Sequence, residues 1–147
     1  MPDDDGLLPV TWTDNRGTRL TCHLTNRLVL NFCRDHDIRF SPDRSLKTFH
    51  PDSLNQAELF DLAYLGTRHC SSCQDQTLDE FHEAHRSGPA LEEALYAARA
   101  AILNFILRQR LPKEKWRDAA RILLAEENAA RSLLQTTMER LLGTQKP

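Results

Sequence analysis

Two long segments in the carboxyl-terminal part of the chain begin and end with residues that are typical of helix ends. They restrict the folds that the chain can adopt. Pro89 opens a helix that is predicted to run to about Arg110, and Pro112 opens another that ends near Leu142 and is followed by glycine. Proline in the first turn and glycine after the last turn are typical of helix ends. Because only a short turn separates the two segments, residues 89–142 are predicted to form an antiparallel helical hairpin.

Both helices of this hairpin carry more apolar surface than the hairpin alone can cover. The first has two adjacent apolar stripes, one from Leu91 to Phe105 and one from Tyr96 to Leu107, so it must be covered on more than one side. The second is longer, about 45 Å against about 32 Å. Its overhang carries Leu133, Leu134, Met138, Leu141 and Leu142. Either the amino-terminal part of the chain or a second copy must cover these side chains, and we expect a homodimer, since two-fold dimers are the commonest oligomers.

The sequence of the amino-terminal part predicts shorter helices and strands. Residues 7–24 predict a β-hairpin, because Leu8, Val10 and Trp12 alternate with other residues before a turn around Gly17. Residues 25–87 predict three short helices. The fold class is therefore mainly α, with a short N-terminal β-hairpin, three short helices and a long C-terminal antiparallel helical hairpin. At 147 residues the chain is expected to form a single domain over residues 1–147.

Capping residues and apolar spacing set the predicted limits of the three short helices. The third helix places four side chains on one face, namely Leu78, Phe81, His82 and His85. The predicted limits are Thr25 or Asn26 to about Asp37 for the first helix, Asp52 or Ser53 to Gly66 for the second, and an end at Ser87 for the third.

The composition is that of a globular protein whose total charge gives it no attraction to nucleic acid or membranes. Hydrophobic residues make up 40%, charged residues 27%, and the formal net charge is −2. The chain begins with Met1 and Pro2 followed by three aspartates, whereas a secretory signal begins with basic residues and an apolar stretch. We therefore expect a cytoplasmic protein that does not enter a membrane, with its four cysteines present as thiols or metal ligands.

A zinc site is predicted around Cys70 and Cys73. Two thiols three residues apart can bind one zinc ion, but they provide only half of a tetrahedral site. Cys33 and His36 have the same spacing and complete a site with three cysteines and one histidine. Such a site would tie the first helix to the turn before the third. The cofactor expected is thus zinc, in a structural role.

Other ligands and other roles for these cysteines stay open. His50 or His69 could join Cys70 and Cys73 instead, and the four thiols could also be plain core or surface thiols or include a redox pair. The stretch from His50-Pro51 to Phe81 resembles the zinc-binding domain of anti-sigma factors over about 32 of the 147 residues. This resemblance implies zinc bound by histidine and cysteine. That family has a histidine four residues before its first cysteine, where this chain has Gly66.

The turn of the predicted helical hairpin is strongly basic. Six positive side chains and two negative ones give residues 108–121 a net charge of +4, in a chain whose total is −2. Basic residues at the start of a helix oppose its dipole, so this turn suggests an anionic partner, which could be an acidic protein surface, phosphate or nucleic acid. The alternative is a solvated turn that binds no partner. The predicted binding residues are Arg108, Arg110, Lys113, Lys115, Arg117 and Arg121.

These features favour a non-enzymatic regulatory or adaptor protein that acts through protein–protein binding. No nucleophile elbow is present, and five glycines are few for a phosphate-binding loop, so no catalytic residue is predicted. The first alternative is a nucleic-acid-binding module that uses the basic turn. The second is a small metal-dependent or redox enzyme, since Asp79, His82 and His85 are spaced three residues apart.

Overall fold

The computed structural model describes residues 7–39, 48–68 and 76–143 of the chain. It confirms the predicted fold class, which is mainly helical with an amino-terminal β-hairpin and a long carboxyl-terminal helix. The elements are β1 (Thr11–Thr13), β2 (Arg19–Thr21), α1 (Asn26–Asp35), a 3₁₀ turn (Pro51–Ser53), α2 (Gln56–Thr67), α3 (Leu78–Glu83), α4 (Ala90–Arg110) and α5 (Lys113–Gly143).

The β-hairpin is shorter than the segment predicted for it. β1 and β2 are antiparallel, and Trp12 lies opposite Leu20 in the register. The carboxylate of Asp14 accepts hydrogen bonds from the backbone N–H groups of Arg16 and Thr18, both at 2.9 Å. Gly17 has a φ of +81°, which glycine adopts without steric cost. The aspartate and the glycine together fix the turn and hence the register of the strands.

The second helix begins later than predicted. Asp52 and Ser53 belong to the 3₁₀ turn that starts at Pro51, and the residue that caps α2 is Asn55. Asn55 and Glu58 form a capping box, in which each side chain accepts a hydrogen bond from the backbone N–H of the other, at 2.8 and 3.0 Å. The predicted caps Asp52 and Ser53 were therefore wrong, because a stronger pair of capping residues follows them.

Gly66 does not end α2 as predicted, since the helix continues through it to Thr67. The lack of a side chain at Gly66 allows α2 to lie close to the residues that follow β2. A Cβ atom at position 66 would lie 2.5 Å from Sγ of Cys22 and 3.2 Å from the Cys22 Cα. Only glycine fits there without displacing the neighbouring chain.

α4 is the central helix, and the same chain covers it on both sides. On one side, Ala94, Ala98 and Ile102 belong to a core that also contains residues of the β-hairpin and of α1, α2 and α3. On the other side, Leu103 and Leu107 pack with α5 and with the amino-terminal segment. Most of the apolar surface of α4 that called for a cover on two sides is thus buried within one chain, and Leu91 remains 43% exposed.

α5 extends beyond the part of the chain that covers α4. It has 31 residues against 21 in α4, which correspond to about 46 and 31 Å. Its distal half remains exposed, with Leu133 at 70%, Met138 at 53%, Leu141 at 67% and Leu142 at 60% of full exposure. The side chain of Leu134, predicted to belong to this overhang, lies outside the described part. Of the helices described, none combines the length and apolar character that crossing a bilayer requires.

Candidate functional site

The corner between α4 and α5 is held by packing and by one indole hydrogen bond. Nε1 of Trp116 donates to the carbonyl oxygen of Leu111 at 2.9 Å, and both residues pack at the edge of the cluster around Leu107. The backbone N–H of Leu111 donates to the Leu107 carbonyl, which closes α4. The basic turn is therefore presented at a defined corner of the fold.

Within the described residues, most of the basic side chains at this corner have no acidic partner. All six side chains predicted to bind a partner are exposed. Those that form no salt bridge with any described residue are Arg108, Arg110, Lys115, Arg117 and Arg121. Unpaired positive charges on one corner attract anions over several ångströms and lose that attraction as salt is added.

Arg99 fixes the middle of α5 against α4. Its guanidinium group donates two parallel hydrogen bonds to the carboxylate of Glu127, at 2.9 and 3.1 Å. It also donates to Oδ1 of Asp52 at 3.0 Å and to the carbonyl oxygen of Pro51 at 3.3 Å. The hydrogen bonds to Glu127 raise the pKa of Arg99 above its ordinary value, so this arginine stays charged and joins α4, α5 and the 3₁₀ turn.

Asn104 holds the amino-terminal segment in place. Its Oδ1 accepts a hydrogen bond from the Leu8 N–H and its Nδ2 donates to the Leu8 carbonyl, both at 2.9 Å. The buried amide thus pairs with one backbone residue as a neighbouring β-strand would. As a result, Leu7 and Leu8 pack between α4 and α5, beside Leu103 and Ala120.

The four side chains predicted to share one face of α3 do not share one environment, because the helix ends at Glu83 and not at Ser87 as predicted. Phe81 and His85 are buried, whereas Leu78 and His82 are exposed. The indole N–H of Trp12 donates to Nε2 of His85 at 2.9 Å, and Nδ1 lies 2.7 Å from the Phe81 carbonyl. An indole can only donate, so Nε2 is the acceptor and Nδ1 carries the proton.

Burial lowers the pKa of the His85 imidazole. The neutral ring satisfies both of its partners, whereas a second proton would meet the Trp12 N–H group. His85 is accordingly a member of the aromatic core, whereas Asp79 and His82 are exposed; the His82 ring packs on the edge of that core, 4.7 Å from the Phe60 ring between centroids. His85 is only 2% exposed to solvent, so its ring serves to pack the core.

The predicted zinc ligands fall partly outside the described residues. His69, Cys70 and Cys73 all lie in the undescribed range 69–75. Cys33 is buried at the end of α1, and burial raises the pKa of its thiol to about 11. His36 packs on the ring of Phe32, with 4.3 Å between ring centroids.

The remaining candidate ligand, His50, is exposed at the 3₁₀ turn, where its Nδ1 accepts from the backbone N–H of Asp52 at 3.1 Å. Across residues 7–39, 48–68 and 76–143, no three His, Cys, Asp or Glu side chains converge on a point where a metal ion could bind. The structure also bears on position 66, where the resembling family carries a histidine. The contact with Cys22 leaves no room for a side chain at that position.

Comparisons with protein-family models, curated proteins and solved structures give no match to this chain. The structure brings the amino-terminal segment held by Asn104 next to Arg117 and Arg121 of the basic corner and next to Leu124 of α5.

Proposed function

We propose that this protein is a non-enzymatic adaptor or regulatory protein, and that the corner between α4 and α5 binds an acidic surface of another protein. One observation supports this proposal above the others. Five exposed basic side chains at a fixed corner form no salt bridge within the described residues. A fold that needed those charges for its own stability would pair them, and basic residues at the start of α5 oppose the helix dipole.

Reversing two of the six basic side chains at the corner tests the proposal. The double substitution Arg110→Glu with Lys113→Glu is expected to weaken partner binding about tenfold or more, equivalent to ~1.4 kcal/mol. The free energy of unfolding should change by less than about 0.5 kcal/mol, because surface substitutions cost little. The measurement is quantitative affinity capture from a nuclease-treated extract, alongside thermal unfolding.

The matched control reverses two exposed arginines elsewhere, Arg19→Glu with Arg27→Glu. These should leave capture unchanged. If the corner variant unfolds the protein, the basic side chains are structural and the proposal is wrong. If both double variants reduce capture equally, total charge rather than the corner is responsible, and the proposal is again wrong.

Nucleic acid is the alternative partner for the same corner. Phosphate contacts would make binding fall steeply with salt. A gel-retardation assay with DNA and RNA at increasing salt separates this alternative from a protein partner. We favour protein because the chain as a whole is negatively charged at −2, which opposes a long polyanion.

We also propose that a structural zinc ion, bound by Cys70 and Cys73 and completed by Cys33 and His36, ties the middle of the chain together in a reducing, cytoplasmic setting. The spacing of the two pairs supports it, and Cys33 and His36 lie at the carboxyl end of α1 and in its cap. His50 or His69 are the alternative ligands.

Elemental analysis of purified protein is expected to find about one zinc per chain. Cys70→Ser should release the metal and lower the melting temperature, because site formation and folding are coupled. Cys22→Ser is the control, since that buried thiol contacts the Leu62 carbonyl and belongs to neither predicted pair; it should retain the metal. Protein prepared without chelator that holds no metal would remove this proposal.

A further inference from the structure

One face of α5 carries a straight row of exposed side chains next to the amino-terminal segment. Positions 117, 121, 124, 128 and 131 are separated by steps of four and three residues, so they lie above one another on a helix. They are occupied by Arg117, Arg121, Leu124, Asn128 and Arg131, and all five are exposed. The same spacing continues along the distal half of α5 through Gln135, Met138 and Leu142.

Two cavities flank this row, on the side of the amino-terminal segment. The first, about 180 Å³, lies between α4, α5 and the segment, and its apolar lining includes Leu8, Ala97, Ala100 and Leu124. The second, about 210 Å³, is lined by Leu7, Leu8, Arg117, Ala120, Arg121 and Leu124. The cavities share Leu8 and Leu124 and therefore lie next to each other along the row; the two together are called the groove. The volume of each cavity is below the roughly 300–1,000 Å³ that is typical of small-molecule sites. Each cavity is therefore better suited to a few side chains of a peptide.

The polar rim of this groove is predominantly positive. Arg117 and Arg121 form no salt bridge with any described residue. The guanidinium of Arg131 lies over the ring of Tyr96, 3.5 Å from its centroid. Stacking uses the flat face of the group and leaves its N–H edge free to bind a carboxylate.

Two acidic residues also line the first cavity, and neither reverses this charge. Glu127 is already paired with Arg99, and Glu93 is exposed on the α4 side, across the groove from the arginine row. The groove therefore has an apolar floor and a rim that carries three arginines against one unpaired carboxylate.

We propose that this groove binds an acidic amphipathic helix of another protein. Its apolar side chains enter the two cavities, and its carboxylates pair with Arg117, Arg121 and Arg131. This is the helix-in-groove mode, in which apolar anchors a turn apart provide affinity and flanking charges provide specificity. A parallel copy of α5 would set arginine against arginine, so charge complementarity favours a different protein as the occupant. The inference rests on the proposed function and identifies the surface and chemistry of the partner.

The test uses a labelled synthetic helical peptide with leucine on one face and glutamate on the other, titrated against the full chain by fluorescence anisotropy. Two matched peptides replace all glutamates by lysine or all leucines by alanine. The first peptide is expected to bind, and each matched peptide to bind at least about tenfold more weakly. Equal binding of the alanine peptide would overturn the groove, because it would show that charge alone acts.

Variants of the protein then locate the site. Arg121→Glu and Leu124→Asp should each reduce peptide binding about tenfold or more, with an unchanged circular-dichroism spectrum. Arg140→Glu, on a different face of the same helix, should have no effect. If Arg121→Glu or Leu124→Asp unfolds the chain, the smaller changes Arg121→Gln and Leu124→Ala are compared in its place.

Failure of this inference is distinguishable from failure of the proposed function. If the peptide does not bind, or if only Arg110→Glu with Lys113→Glu weakens peptide binding, the groove is not the site. The affinity-capture experiment on the corner is then decided separately by its own result. If sedimentation shows a dimer that Leu124→Asp dissociates, a second copy occupies the groove and the inference is wrong.

Discussion

Replacement of Phe81 by alanine is expected to lower the free energy of unfolding by about 3–5 kcal/mol. Phe81 has no exposed surface. Its ring lies 4.3 Å from the His85 ring, 4.9 Å from Phe60 and 5.3 Å from Tyr64, centroid to centroid. Removing it leaves a cavity among aromatic rings, and hydrogen bonds hold two of them, Tyr64 to the Gln76 carbonyl and His85 to Trp12, so that they cannot close the space.

Urea denaturation followed by circular dichroism measures this change. Leu78→Ala is the matched control, since Leu78 begins the same six-residue helix but is 40% exposed; it should cost less than about 1.5 kcal/mol, because little apolar area is lost from the interior. Equal losses in the two variants would contradict the role given to Phe81. α3 would then contribute only its helical structure and no anchoring side chain.

The long helices could be predicted from sequence because their limits are set by local chemistry. Pro89 and Pro112 fix where helices begin whatever surrounds them, and α4 and α5 begin at Ala90 and Lys113. The start of α2 was misplaced although its capping box, Asn55 with Glu58, is visible in the sequence. Asp52 and Ser53 have the same capping preference, and only the 3₁₀ turn at Pro51 shows which residues are used.

The role of Gly66 depends on tertiary contact and could not be inferred locally. A glycine near the end of an apolar stretch indicates a helix end, whereas here it allows α2 to approach Cys22, a residue 44 positions earlier. His85 likewise looks amphipathic in sequence. It becomes a core residue because Trp12, on β1, supplies the donor that its ring needs.

The basic corner was predictable, because its charges lie within 14 consecutive residues. The groove was not, although the four-and-three spacing of Arg117, Arg121 and Leu124 was present in the sequence. Its other wall is the segment at Leu7 and Leu8, which Asn104 holds from 96 residues away. The one sequence signal was an asparagine inside the apolar stretch of α4, since a buried amide requires hydrogen-bonding partners.

Asn104→Leu is expected to release the amino-terminal segment and to destabilise the fold. The substitution keeps the side chain close to its original size but removes both partners of Leu8. The backbone N–H and carbonyl groups of Leu8 would then be left unpaired in a buried position, at a cost of about 1–3 kcal/mol each. The chain can reduce that cost by letting the segment detach from α4 and α5. Native-state hydrogen exchange should therefore show loss of protection at the Leu8 amide, together with a lower midpoint of urea denaturation.

Asn104→Asp separates the two hydrogen bonds. Ionised aspartate can still accept from the Leu8 N–H, but it cannot donate to the Leu8 carbonyl, so the two oxygens repel each other at a pH where the carboxyl group is ionised. Exchange at Leu8 should be intermediate if the two bonds contribute separately, and as fast as in Asn104→Leu if they act only together. Protection at Ile102, which is buried on the opposite side of α4, should fall only by the change in global stability. If Leu8 in Asn104→Leu also loses protection only to that extent, the segment does not open separately from the core. Packing of Leu7 and Leu8 against α4 and α5, rather than the amide, would then be what keeps the wall of the groove in place.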